Sequence, residues 1–150
     1  MLETTFEALS EDEKELLSSA EGALGLAYNP YNSQTKVSAA LRTASGEIIV
    51  GASFANDSSP SSVCAERSAI LTANSLGHRE LRMMAIIGTK MGGMVNGPIT
   101  PCGVCRQVMQ ESVNISGYDL EVICSNSDKT KIIKTSLREL LPFPYGGKWK

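Results

Sequence analysis

Three cysteines constrain this chain more than any other feature. Cys64 opens the run Cys64-Ala65-Glu66-Arg67, and Cys102 and Cys105 lie in Pro101-Cys102-Gly103-Val104-Cys105-Arg106-Gln107. Thirty-seven residues separate Cys64 from Cys102, and two separate Cys102 from Cys105. Thiolates are soft ligands that suit Zn²⁺, which prefers tetrahedral surroundings. Three protein ligands leave the fourth position to water, the mark of a catalytic rather than a structural zinc site. Glu66 follows the first cysteine by two residues, about 200° around a helix axis. At a helix start, however, the first turn presents its side chains and free N–H groups to whatever docks there. A carboxylate in that position can reach the water without being a ligand.

The rest of the composition narrows the setting. A chain of 150 residues is the size of one domain, and its 42% apolar residues are enough to fill a core. A net charge of −2 gives no basic footprint for nucleic acid. No apolar run approaches the roughly 18 residues of a membrane span, and no signal peptide opens the chain, so a cytoplasmic protein without a membrane partner is expected. The four cysteines are not read as two disulfides, because a chain of this size does not need staples and no export signal offers an oxidising compartment.

Read in order, the chain alternates helices and strands. Ser10 and Glu13 form a capping box for a helix from about Glu11 to Ala27, with Leu16, Leu17, Ala20, Ala23, Leu24 and Ala27 as its apolar stripe. The acidic first turn suits the helix dipole. Asn29 to Ser33 is a turn cluster, and residues 36–43 and 47–54 are hairpin partners around Ala44-Ser45-Gly46. The polar stretch 56–62 delivers the chain to a second helix over 63–76, ended by Gly77. A buried strand over 82–88 leads into a glycine-rich loop over 90–100, read as a connector before a lid. A third helix (102–112), strands over 119–125 and 131–134, and a short helix over 136–141 follow. This order predicts an α/β fold with a five-stranded mixed sheet and helices on both faces.

Taken together, CAER and PCGVCRQ resemble the zinc-dependent cytidine deaminase family in its small, three-cysteine branch, whose signature pairs a first ligand and a glutamate two residues on with a later PCxxC. Residues 27–32 (AYNPYN) resemble the family's AYxPYS segment, residues 37–41 its VGAAL strand and residues 139–142 its ELLP ending. The resemblance implies a single three-layer αβα domain over 1–150. It implies one Zn²⁺ per subunit on Cys64, Cys102 and Cys105, with Glu66 as proton shuttle. It further implies a main-chain contact from Ala65 to a small cytosine-containing substrate, and a homotetramer in which Tyr145 lines a neighbouring subunit's site. Three thiolates on one zinc leave a net negative charge, which weakens its pull on water. The positive ends of two helices offset this, and Arg67 and Arg106, each close to a ligand, are candidates to donate to the sulfurs.

Other readings stand beside this one. A closed structural site would need a fourth ligand, His78 or Cys124. His78 lies about 14 residues from Cys64, roughly 20 Å along a helix, and Cys124 sits in an apolar strand as a small hydrophobe. A non-catalytic zinc module would not need Glu66. A nucleic-acid editor would need the basic, aromatic groove that is absent here. The chain also departs from the family it resembles. The family's N-V/I-E-N grips the sugar hydroxyl, whereas here Ser53 replaces the asparagine and Ala55 the glutamate. A phenylalanine that packs beside the nucleoside appears as Thr35, and the glycine of VGAAL is Ser38. A sugar-modified cytosine nucleoside, as in blasticidin S, is therefore a candidate beside cytidine and deoxycytidine. A free base or another aminated heterocycle is the alternative. Ser53 keeps a hydroxyl for a water-bridged sugar contact.

Overall fold

The computed structural model describes residues 1–31, 35–89 and 97–146. Ser10 caps the first helix as expected: Glu13 N–H donates to Ser10 Oγ at 3.3 Å, and Ser10 N–H donates to Glu13 Oε2 at 2.7 Å. Helix α1 (Glu11–Ala23) stops short of the expected Ala27. A 3-10 turn over Leu24–Leu26 replaces its last turn, where Gly22 and Gly25 weaken the helical preference.

The strands are β1 (Leu2–Thr4), β2 (Lys36–Thr43), β3 (Ile48–Ala52), β4 (Leu81–Thr89), β5 (Glu121–Asn126) and β6 (Ile132–Ser136). The remaining helices are α2 (Ala65–Ser75), α3 (Gly103–Ser116) and α4 (Leu137–Leu140). The sheet runs in the order β1-β6-β5-β4-β2-β3, so it has six strands rather than the expected five. The additional β1 pairs antiparallel with β6 at the sheet edge. Its three residues, Leu-Glu-Thr, are too short to show an alternating pattern, so pairing with β6 rather than local sequence defines it. Only β4 and β5 run parallel among the described pairs, joined by α3 as the crossover such a pair requires.

Alternation along the central strands divides the core into two. Ala39, Leu41, Met84, Ile86, Val122 and Cys124 face α2, α3 and α4. Ala40, Ala85, Ile87 and Ile123 face the other way, toward Leu16, Leu17 and Ala20 of α1. Side chains two apart in a strand share a face, so one sheet supplies both halves. The result is the expected three-layer αβα arrangement, and β4 reads as a continuous apolar run because both its faces are covered. No helix among the described residues is long and apolar enough to cross a membrane. Of the expected loop over 90–100, residues 90–96 lie outside the described residues, as do Asn32 and Ser33 of the turn cluster and Trp149.

Ser38, which stands where the VGAAL pattern has glycine, is fully buried, and its hydroxyl donates to the Ala20 carbonyl at 2.5 Å. The N–H of Leu24 bonds to Glu21 O instead, as the helix tightens. Ser38 thus supplies a donor where the α1 ladder ends, and it ties α1 to β2. Ser38→Ala leaves that carbonyl buried without this donor and is expected to lower stability by about 1–2 kcal/mol. A chemical-denaturation midpoint identical to that of the wild type would contradict this.

Candidate active site

Two helix starts and one glycine build the site. Helix α2 carries Ala65, Ala69 and Ala73, all fully buried, at the four-residue spacing that shares one face. That face lies on β3 at Gly51, where a Cβ would sit 2.3 Å from Ala69 N and 2.6 Å from Ala65 O. The close approach brings the N-terminus of α2 down onto the sheet. Cys64 is the N-cap of α2, and Cys102 is the N-cap of α3, where its sulfur accepts from Cys105 N–H at 3.4 Å. Both ligand segments therefore start helices, and their positive ends face the sulfurs.

The three thiols converge. Cys64 Sγ lies 3.9 Å from Cys102 Sγ, which lies 3.3 Å from Cys105 Sγ, and all three ligand atoms fall within 4.8 Å of one another. Ligands about 2.3 Å from a tetrahedral zinc are about 3.8 Å apart, so this triangle fits the ion. Cys64, Cys102 and Cys105 are positioned to bind a metal ion. Cys124 and His78 do not join the cluster. Cys124 is buried in β5, where burial pushes its thiol up to about 12, and His78 lies 3.9 Å from Glu47. Within the trio, the Cys105 thiol hydrogen-bonded to Cys64 draws the Cys64 thiol down to about 5, with help from Arg67. Cys105 shifts upward by the same contact and by its own burial.

Glu66 stands in the first turn of α2 and is only 4% exposed. Burial pushes its carboxyl above the ordinary carboxylate range, and the nearby Cys64 charge adds to this, while a hydrogen bond to Cys105 opposes it. Arg67 lies 4.0 Å from Cys64 Sγ through Nη2, the same nitrogen that donates to Ser62 O at 2.9 Å. Arg106 is placed differently. Its Nε donates to Pro101 O at 2.8 Å and its Nη1 to Leu140 O at 2.9 Å, so it ties the start of α3 to the end of α4. Sequence adjacency to Cys105 does not fix the direction of so long a side chain, and a helix-end carbonyl is a strong competitor for it.

A cleft of about 500 Å³ opens over the thiols. Cys64, Ala65, Glu66 and Cys102 line it, as does Ser53, whose Oγ accepts from Val37 N–H at 3.2 Å. Its wall is fixed where Tyr28 N–H bonds to Ser53 O and Ala55 N–H bonds to Tyr28 O, with the Tyr28 and Phe54 rings stacked at 5.4 Å. Tyr145 does not line this cleft. Its backbone pairs with the Gln107 side chain, and the residue is 89% exposed. Asn56 and Asp57 also line the cleft and were not anticipated as site residues. The available signal was their place in the polar stretch running directly into Cys64.

Residues 10–117 match the family model described as the cytidine and deoxycytidylate deaminase zinc-binding region. The chain is 35% identical over 131 residues to a cytidine deaminase of Sporosarcina psychrophila, covering 87% of this chain and 89% of that protein. It is 29% identical over 140 residues to a blasticidin-S deaminase of Bacillus cereus, covering 91% and 94%. The crystal structure of a cytidine deaminase from Burkholderia pseudomallei superposes with a TM-score of 0.77 at 34% identity, covering 91% of this chain and all of that one.

Proposed function

The chain belongs to the cytidine and deoxycytidylate deaminase family, and from that premise we propose that it is a zinc-dependent hydrolase that removes the exocyclic amine of a cytosine nucleoside as ammonia. The observation that carries this reading is that buried Glu66 lines the same cleft as Cys64 and Cys102, two of the three thiols that converge on one point. Cys64, Cys102 and Cys105 hold the ion, which when bound lowers the pKa of water from about 15.7 toward 7 and so supplies a nucleophile at neutral pH. Glu66 would take one proton from the attacking water and pass it to the ring nitrogen, then take the second proton from the same oxygen and deliver it to the amine, which departs as ammonia. Its burial keeps competing water away and raises its proton affinity toward the working range. Ala65 presents its main chain to the pyrimidine edge. Arg67, beside Cys64, offsets thiolate charge.

The sugar side sets the choice of substrate. Ser53 and Ala55 offer no counterpart to the asparagine and glutamate clamp. A lost charge-assisted hydrogen bond forfeits roughly 1.5–3 kcal/mol, or about tenfold or more in affinity. We therefore place sugar-modified cytosine nucleosides such as blasticidin S beside cytidine and deoxycytidine. A panel of these three with free cytosine, followed by ammonia release, tests the reading. Chelator-sensitive release from at least one nucleoside is expected. Silence from the whole panel with zinc loaded would overturn it, and release from cytosine alone would favour a free-base enzyme.

We further read residues 1–150 as one domain of a cytoplasmic homotetramer acting in pyrimidine salvage. Phe143 and Tyr145, 92% and 89% exposed, are large apolar rings that gain from burial against a neighbouring subunit. A tetramer in sedimentation is expected, and a monomer at micromolar concentration would contradict it.

A further inference from the structure

The charged side chains that line the described cleft are both acidic. Glu66 lies at its buried floor, and Asp57 lies at its exposed rim. No lysine, arginine or histidine is among the described lining residues. Three other polar groups that line the cleft are engaged within the chain. Ser53 Oγ accepts from Val37 N–H, Ser62 Oγ accepts from Asn56 N–H at 3.0 Å, and Asn56 Oδ1 accepts from Ser58 N–H at 2.8 Å. Asp57 differs from them, because its carboxylate has no hydrogen-bond or ion-pair partner among the described residues. Arg67, the arginine nearest in sequence, directs a donor to the Ser62 carbonyl beside Cys64.

A cytosine ring whose amine reaches the thiols and Glu66 must project its N1 substituent away from the floor, toward the rim. There it meets the Asp57 carboxylate, with no cation among the described lining residues to neutralise it. We propose that Asp57 is a specificity-determining residue that selects cytosine nucleosides bearing a positively charged group on the sugar side, and that the same charge disfavours nucleotides. This rests on the deaminase reading and names the substrate class within it. A protonated amine pairs with the carboxylate, whereas a phosphate meets like charge and, among the described lining residues, no compensating cation. Because Asp57 lies at a solvent-exposed rim, the gain is a few-fold rather than several orders of magnitude.

The test compares cytidine, CMP, 5′-amino-5′-deoxycytidine and 3′-amino-3′-deoxycytidine on the zinc-loaded protein, by kcat/KM and by calorimetric Kd. At least one amine is expected to exceed cytidine by about fivefold, with the margin shrinking as salt rises, and CMP is expected to fall below cytidine. Asp57→Asn is expected to erase the margin and Asp57→Lys to reverse it in favour of CMP. Both variants should keep the wild-type Tm, since no folded-state partner is lost. Margins unchanged in the two variants, amines no better than cytidine by either readout, or a wild-type preference for CMP would overturn the proposal. A calorimetric preference for the amine without ammonia from any nucleoside would sink the deaminase reading alone.

Discussion

Protein carrying Glu66→Gln is expected to hold zinc at the wild-type stoichiometry and to release ammonia at least about a hundredfold more slowly, since general acid–base catalysis contributes roughly 10²–10⁴-fold. Glutamine has the shape of glutamate but cannot accept a proton and return it. Glu66 is not one of the three sulfurs, so the substitution leaves the ligand set whole. It also replaces a carboxyl that burial already pushes toward its neutral form, so the fold is not expected to suffer. Zinc analysis, ammonia release and a thermal melt on the same preparation separate these statements. Activity within threefold of the wild type, with zinc and fold retained, would remove Glu66 from the chemistry.

Gly51→Ala should be among the most damaging single-atom additions to the described chain. The new Cβ would lie 2.3 Å from Ala69 N, 2.6 Å from Ala65 O and 2.8 Å from Ala69 Cα. These are backbone atoms of one helix, so no side-chain rotation relieves the clash. Helix α2 must lift from β3, and it carries Cys64 at its N-cap and Glu66 in its first turn. Overpacking costs about 1–3 kcal/mol where side chains can adjust, and the upper end or more is expected here. For a chain of this size each kcal/mol lowers Tm by about 2–4 °C. Metal affinity should fall as well, because one of three ligands moves. Gly22→Ala is the control: Gly22 lies in α1 with nothing within 4 Å of an added Cβ, and the change should stabilise by about 0.5–1 kcal/mol. Equal melting points for Gly51→Ala and the wild type would show that the α2–β3 contact is looser than the geometry requires.

The parts of the fold and site that were legible in the sequence are those that a short stretch determines. The Ser10–Glu13 capping box, the helix starts at Cys64 and Cys102 and the double-sided core of β4 each follow from a few adjacent residues. The convergence of the thiols was readable because a two-residue gap in a first helical turn brings Cys102 and Cys105 together, and the signature ties Cys64 to them. The remainder depends on long-range contacts. Strand β1 exists through β6, far along the chain. Ser38 is explained by a carbonyl of α1, and Arg106 by a carbonyl at Leu140. Asp57 belongs to a polar stretch that looks like any connector until it is placed at the rim of a cleft.

Zinc K-edge X-ray absorption on the purified protein, together with metal analysis, tests the central claim most directly. One zinc per chain is expected, with three sulfur ligands at about 2.3 Å and one lighter oxygen or nitrogen ligand completing the tetrahedron. A zinc surrounded by four sulfurs would mean a closed structural site, and protein that takes up no zinc would contradict the reading of Cys64, Cys102 and Cys105 altogether.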